Sequence, residues 1–283
     1  RAPDGAIARR GKTRRGTGAT PFRCAAGRET RRAACFCSAV LLTALALGLV
    51  GCEPSDAERA GVLLETAVSA QGRDRVEATE AVLDLAERLA DAGDAPAAAR
   101  IYRTLWDASA APGRRHVRCA AIRGLARVRG PAGVEEVASA MAGEDEQVAA
   151  AAFEAAACAG GEDVTRAWAD SLPTAPRAVR PKIVRVLGRR GGPAAEAAIL
   201  AALDSEDGAV RRAAIEAAGR LATRRAVGPL VALLGSEDAG DRDAAEAALA
   251  HLAGQGVSAA VAERLAEARY VPRGGAPGPP RAQ

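Results

Sequence analysis

Apolar residues recur along the middle of this chain with a period of 31. Val117, Val148, Val179 and Val210 form one column, and the next position in it holds Asp241. Val137, Trp168, Ile199, Leu230 and Val261 form a second, and Met141, Leu172, Leu203, Leu234 and Leu265 a third. A fourth runs Gly130, Gly161, Gly192, Thr223 and Gly254. A fixed period of this size marks stacked supersecondary units, each burying its apolar face against the next. Within a unit the spacing is helical. Val210, Ala213, Ala214, Ala217 and Leu221 fall on one helix face, and Ser205-Glu206-Asp207 supply the cap and first-turn acids before it. Leu230 and Leu234, four apart, mark a second helix around residues 229–234. The glycine column lies between the two helices, where a left-handed C-cap residue belongs. Pro131 and Pro193 follow it at positions suited to a first helical turn. The pattern predicts an all-α fold of stacked helix pairs, with five units across residues 112–268.

The opening Asp207-Gly-Ala-Val210-Arg211 carries a resemblance. Asp145 and Val148 keep its first half, with Ala149 in place of Arg, while Val179-Arg180 and Val117-Arg118 keep the second. Together with the period, this resembles the HEAT repeat, in the short bacterial form also found in phycobilisome-lyase-like proteins. The resemblance implies a right-handed α-solenoid, a HEAT/armadillo-like superhelix, whose second helices line the concave binding side. Pro181 and Lys182 are expected to interrupt the first helix of the third unit. Glu246 stands where the fourth unit has Ile215, which fits a capping unit with a more polar face. Residues 58–111 are helical in pattern but off this register. Val82, Leu85, Ala86 and Leu89 form one stripe, and Ala98, Ile101, Tyr102, Leu105 and Trp106 the next, with a turn at 91–94 between them. They read as helical hairpins, either tetratricopeptide-like or degenerate HEAT. Residues 269–283, rich in Pro and Gly, read as a disordered tail.

Ahead of the repeats, the basic pair Arg31-Arg32 precedes an apolar run at 38–50 that ends in Leu49-Val50-Gly51-Cys52. Thirteen residues are too few to span a bilayer, which needs about 20, and they suit the core of a secretory signal peptide. The four final residues resemble the lipobox of bacterial lipoproteins. That resemblance implies cleavage between Gly51 and Cys52, lipid on Cys52 and a short tether at 52–57. The weaker alternative is a membrane helix starting near Ala33, because the polar run Glu53-Pro54-Ser55-Asp56 follows directly. Glu53, rather than Asp, after the cysteine favours the outer membrane by the family's sorting rules in a Gram-negative cell. Residues 1–28 hold no Met, Val or Leu. No common start codon falls inside them, and this extension is left outside the fold prediction.

Charge and chemistry narrow the function. Net charge is +4, but residues 1–52 hold ten of the 39 basic and two of the 35 acidic residues, so the remainder is net −4. The footprint of a nucleic-acid binder is missing. Aromatic residues are 2% of the chain, and abundant alanine suits closely packed thin helices. Of six cysteines, Cys119 and Cys158 lie beyond Cys52 and read as small buried apolar residues rather than a disulfide framework. The two histidines, His116 and His251, sit in no zinc spacing. Neither belongs to a His-Glu pair of the kind that holds iron in HEAT-repeat oxygenases of the deoxyhypusine hydroxylase type. No phosphate-binding loop or nucleophile elbow occurs. The chain is therefore expected to be no enzyme, with no catalytic residues, no cofactor and no metal. Binding candidates are the column Arg118, Arg180, Arg211 and Arg242, and the aromatic pair Tyr102 and Trp106, a potential hot spot. Arg127, Arg189, Arg220 and His251 form a further basic column. Such columns are either a ridge for an acidic partner or a solvated face laddered through Asp145, Asp207 and Asp238, and charge runs favour the second. Trp168 sits in an aliphatic column and belongs to the core. The expected function is a lipid-anchored, non-catalytic protein-interaction scaffold in the bacterial cell envelope, with an envelope protein as partner. The alternative is a lyase-like accessory protein that binds a small ligand or chromophore. It rests on fold analogy, and export counts against it.

Overall fold

The computed structural model describes residues 55–270, apart from 112 and 255–257, and leaves out the side chains of 267–270. The signal peptide, Gly51 and Cys52 and the tail at 271–283 lie outside the described residues. Among the described residues no strand occurs, and no helix is long and apolar enough to cross a membrane. Three helices come first: α1 (Asp56–Ser69), α2 (Gly72–Asp91) and α3 (Ala95–Ala108). Five helix pairs follow: α4 (Arg115–Arg129) with α5 (Val134–Ala142), α6 (Glu146–Cys158) with α7 (Glu162–Ser171), and α8 (Arg180–Arg190) with α9 (Pro193–Ala202). The last two are α10 (Gly208–Leu221) with α11 (Val227–Leu233), and α12 (Ala239–Leu252) with α13 (Ser258–Tyr270). The first helices pack each on the next, from α4 to α12. In the other layer α5 packs on α7, α7 on α9 and α11 on α13, while α3 packs along α4. The result is an α-solenoid.

The columns explain the stacking. The valine column and the whole second column, Trp168 at 1% exposure included, are buried between the layers. The column that opens each unit's first helix is set by caps. Asp145 Oδ1 accepts from the Gln147 and Val148 amides at 3.0 and 3.2 Å, Asp207 Oδ1 from Ala209 at 3.0 Å and Asp238 Oδ1 from Asp241 at 3.1 Å. These bonds satisfy amides that a helix start leaves without partners. Position 176 holds proline, which has no capping side chain. There α8 starts only at Arg180, after the Val179 and Arg180 amides bond to the Pro176 carbonyl. Pro181 therefore begins this helix instead of interrupting it, because a first-turn residue needs no amide donor. Lys182 reaches back to the Met141 carbonyl at the end of α5, at 2.5 Å.

The turn column has positive φ at Gly130, Gly161 and Gly192, but contrary to the expected left-handed C-caps only Gly130 closes a first helix, while Gly161 and Gly192 stand at the N-caps of α7 and α9, and ψ lies outside the left-handed helical region in all three. In the fourth unit the left-handed residue is Ala222 (φ 53°, ψ 33°), one place before Thr223. Thr223 holds that turn instead, donating to Glu196 Oε1 at 2.7 Å and accepting from the Arg225 amide. Glycines inside first helices serve close approach. A Cβ on Gly188 would stand 2.6 Å from Ala217 Cβ, and one on Gly219 would stand 2.9 Å from Ala248 Cβ. Cys119 is buried, but Cys158, at the end of α6, is exposed, contrary to its reading as a core residue. Glu246 is exposed where Ile215 is buried.

Candidate functional site

The arginine column does not form a free ridge. Arg180 donates to the Ala175 and Pro173 carbonyls at 2.8 and 3.0 Å. Arg211 donates to the Ser205 carbonyl at 2.7 Å and Arg242 to the Ser236 and Glu237 carbonyls at 2.8 and 2.9 Å. Each guanidinium thus fastens the loop that leads into its own helix. The expected Arg–Asp ladder exists, but other arginines supply it. Arg115 bonds Asp145 at 2.5 Å, Arg177 bonds Asp207 at 3.1 Å and Arg212 lies 3.5 Å from Asp238, each joining one unit to the next. The Asp145 carboxyl is held below its ordinary value chiefly by Arg115. Asp207 is lowered chiefly by the Ala209 amide, then by Arg177, and Asp238 chiefly by the Asp241 amide. The second basic column is likewise paired: Arg127 with Asp91, Arg189 with Glu154 and Arg220 with Glu216.

Arg118 departs from its column. Its guanidinium carbon lies 4.2 Å from the centroid of the Trp106 ring, over the ring face. Its Nε is buried and meets no hydrogen-bond acceptor. Four residues upstream, position 114 of the capping column holds arginine. Arg114 is 9% exposed and donates to the Ala108 and Ala67 carbonyls at 3.0 and 2.9 Å. Of the two aromatic candidates, Trp106 is half-buried, whereas Tyr102 is 3% exposed. Tyr102 lies against Gly124, where a Cβ would collide with its ring. It is a core residue and offers no binding surface. Burial pushes its phenol up from the ordinary value.

Arg118 and Trp106 lie at one of three adjoining clefts around α5. The first, of about 640 Å³, lies between the end of α3 and the starts of α4 and α6; Ser109, Arg115 and Asp145 also line it. The second, of about 290 Å³, runs between α3 and α5 past Trp106, Ile122 and Leu125. The Arg103–Glu136 ion pair ties α3 to α5 beside it. The third, of about 930 Å³, lies between α5 and α7 and continues to Ala175 and Val179, with Val134, Ala138 and Ala167 on its walls. Exposed Ser139 borders all three. Sequence reasoning missed Ser139 and Ser109, neither of which stands in a repeat column. The signal that bore on this place was Arg114 in the capping column. Among the described residues no group of three or more His, Cys, Asp or Glu is placed to hold a metal ion.

Residues 165–250 match the family of HEAT repeats. The matched stretch runs from α7 to α12, so the clefts around α5 lie mostly ahead of it. No curated protein matches the chain. Among solved structures, human deoxyhypusine hydroxylase in complex with glycerol is 17% identical, with a TM-score of 0.35, over 73% of this chain and 98% of that one. A designed armadillo repeat protein in complex with the peptide (KR)4 is 16% identical, with a TM-score of 0.35, over 67% of this chain and 98% of that one. An engineered protein is 18% identical over 69% of this chain and 96% of that one, also at 0.35.

Proposed function

We propose that this protein is a non-catalytic protein-interaction scaffold of the bacterial cell envelope, tethered by lipid on Cys52. Its partner, an envelope protein, docks on the second-helix face around α5. The observation that carries the reading is the meeting of three clefts at Ser139, with the half-buried Trp106 between two of them. A large aromatic at the edge of a concave, mixed-polarity surface is the kind of anchor on which interface energy concentrates. Stacked repeats offer such surfaces as a consequence of their geometry. The tether rests on the sequence Leu49-Val50-Gly51-Cys52, and more than one acyl chain is needed for stable anchoring.

Two measurements in a bacterial host test the two halves. Radiolabelled palmitate is expected on the wild type and not on Cys52→Ala, which should leave the membrane fraction. Label on neither would remove the tether. A photoreactive side chain at Ser139 is expected to cross-link one envelope protein, whereas the same group at exposed Glu246 does not. Equal capture from both positions, or none from Ser139, would overturn the docking face.

A further inference from the structure

We infer that the cleft between α3 and the starts of α4 and α6 is a subsite for a single carboxylate, supplied by an acidic side chain of the partner protein. The inference deepens the scaffold reading and rests on it for the source of that carboxylate. Two residues that line this one cleft each carry a buried donor with no partner. Ser109 is 2% exposed, and its Oγ has no hydrogen-bond partner in the protein. Leaving a buried hydroxyl unpaired is costly, and each such group calls for an explanation. Arg118 lines the same cleft with its Nε unmet. A guanidinium over an aromatic ring uses its face in the stack and keeps its N–H edge for a planar acceptor. In the same column the Nε of Arg180 and of Arg211 each has an acceptor, whereas the Nε of Arg118 has none.

The charges in the cleft set the ligand's charge. Arg115 and Arg118 face Glu144 and Asp145 along its wall. Arg115 is committed to Asp145 at 2.5 Å, and Asp145 also caps α6. Arg118 is left as the cation to be matched, with exposed Glu144 at the rim. One carboxylate matches Arg118; because Glu144 already brings the four charged residues of the cleft to a net of zero, a monoanion is opposed less than a phosphate dianion. A carboxylate presents two coplanar oxygens to the guanidinium fork and has lone pairs left for the Ser109 hydroxyl. Beyond Trp106 the cleft between α3 and α5 continues past Ile122 and Leu125, with Arg103, Asp107, Glu135 and Glu136 also on its walls.

The probe is a blocked tripeptide with a central glutamate between leucines, set against the same peptide with glutamine. Both are titrated into the full chain while Trp106 fluorescence is followed; the other tryptophan, Trp168, is buried. The glutamate peptide is expected to bind saturably, and the glutamine peptide about tenfold or more weakly. Arg118→Gln should weaken the glutamate peptide by a similar factor, and Arg118→Lys should recover only part of the loss because lysine lacks the fork. Ser109→Ala should weaken it about threefold or more, with no fall in thermal midpoint, since it removes a hydroxyl the folded protein does not pair. A purely structural Ser109 would show the opposite pattern. Equal affinity for the two peptides, undiminished binding by Arg118→Gln, or displacement by inorganic phosphate at lower concentration than by acetate would each overturn the assignment. The scaffold reading fails separately: tripeptide binding without a cross-link at Ser139 removes the partner and leaves the subsite, and the reverse result removes the subsite.

Discussion

Asp241 stands where four units have valine, and it is 0% exposed. Its Oδ2 accepts from Arg211 Nε at 2.6 Å, Arg212 lies 3.7 Å from Oδ1, and Oδ1 has no hydrogen-bond partner. An aspartate in an apolar column is held there only by its cations, because a buried carboxylate without them carries a large desolvation cost. Removing one member of such a pair strands the other, at about 3–5 kcal/mol when the remaining charge is fully buried. Arg211 is 20% exposed on its side chain and keeps the Ser205 carbonyl, so it is not fully stranded. Asp241→Ala is therefore expected to cost about 2–3 kcal/mol in a urea titration, including the small cavity it leaves. The double replacement Asp241→Val with Arg211→Met restores the column and is expected to be neutral or more stable than wild type. If the double variant unfolds earlier than Asp241→Ala, the pair contributes net stability and this argument is wrong.

At the scale of helices, the contact between successive first helices depends on where a side chain stops at hydrogen. Gly188 in α8 meets Ala217 of α10 so closely that an added Cβ would also stand 3.1 Å from the Ala217 Cα, which is backbone and cannot swing away. Gly188→Ala is expected to destabilise by about 1–3 kcal/mol through overpacking, despite the better helix propensity of alanine. Gly61 in α1 has nothing within 4 Å of the same added atom, and Gly61→Ala is expected to stabilise by about 0.5–1 kcal/mol. Thermal midpoints moving in opposite directions check both; a stabilising Gly188→Ala would mean that α8 and α10 are free to part. Much of this layer was legible in the sequence. The period placed Val137, Trp168, Ile199, Leu230 and Val261 in the core, and the Asp-x-x-Val-Arg opening marked caps that the structure contains. What periodicity could not carry was the choice between neighbours on one stripe. Tyr102 and Trp106 are four apart on α3, and only the packing against Gly124 buries the first and leaves the second at the edge. Nor could a column of arginines reveal its partners. Arg180, Arg211 and Arg242 fasten loops through carbonyl contacts set by backbone geometry, while Arg118 stacks on Trp106, which comes from a helix outside the repeat register. The start of α8 was misjudged for a related reason: Pro181 reads as a breaker until the missing cap at Pro176 moves the helix start onto it.

Over the whole molecule, stability in a solenoid is a sum of units and of the joints between neighbours, and three of those joints share one chemistry. Asp145 and Asp207 each cap a helix of their own unit while accepting from an arginine 30 residues earlier, and Asp238 caps α12 beside Arg212. All three carboxyls are lowered from their ordinary value of 3.8 by these donors. A lowered folded-state pKa means that the unfolded chain takes up protons first as pH falls. The stabilisation is therefore complete above the ordinary carboxylate range and is lost as pH drops through the lowered values. Asp238 is exposed and Asp145 and Asp207 are partly exposed, so each contributes modestly, and salt weakens the Coulomb part. Protonation acts on three of the four joints together, however, and those units lose their coupling as well as their caps. The thermal midpoint of the full chain is expected to fall, and its transition to broaden, between about pH 5 and about pH 2. Replacing Asp145, Asp207 and Asp238 with asparagine keeps a side-chain oxygen for each cap but removes the titrating charge. That variant should start with a lower midpoint at neutral pH and lose less of it on acidification. Parallel melting curves for the two proteins across this range would show that the acid-sensitive bonds lie elsewhere, and that the unit joints are held by the apolar columns without help from the capping carboxylates.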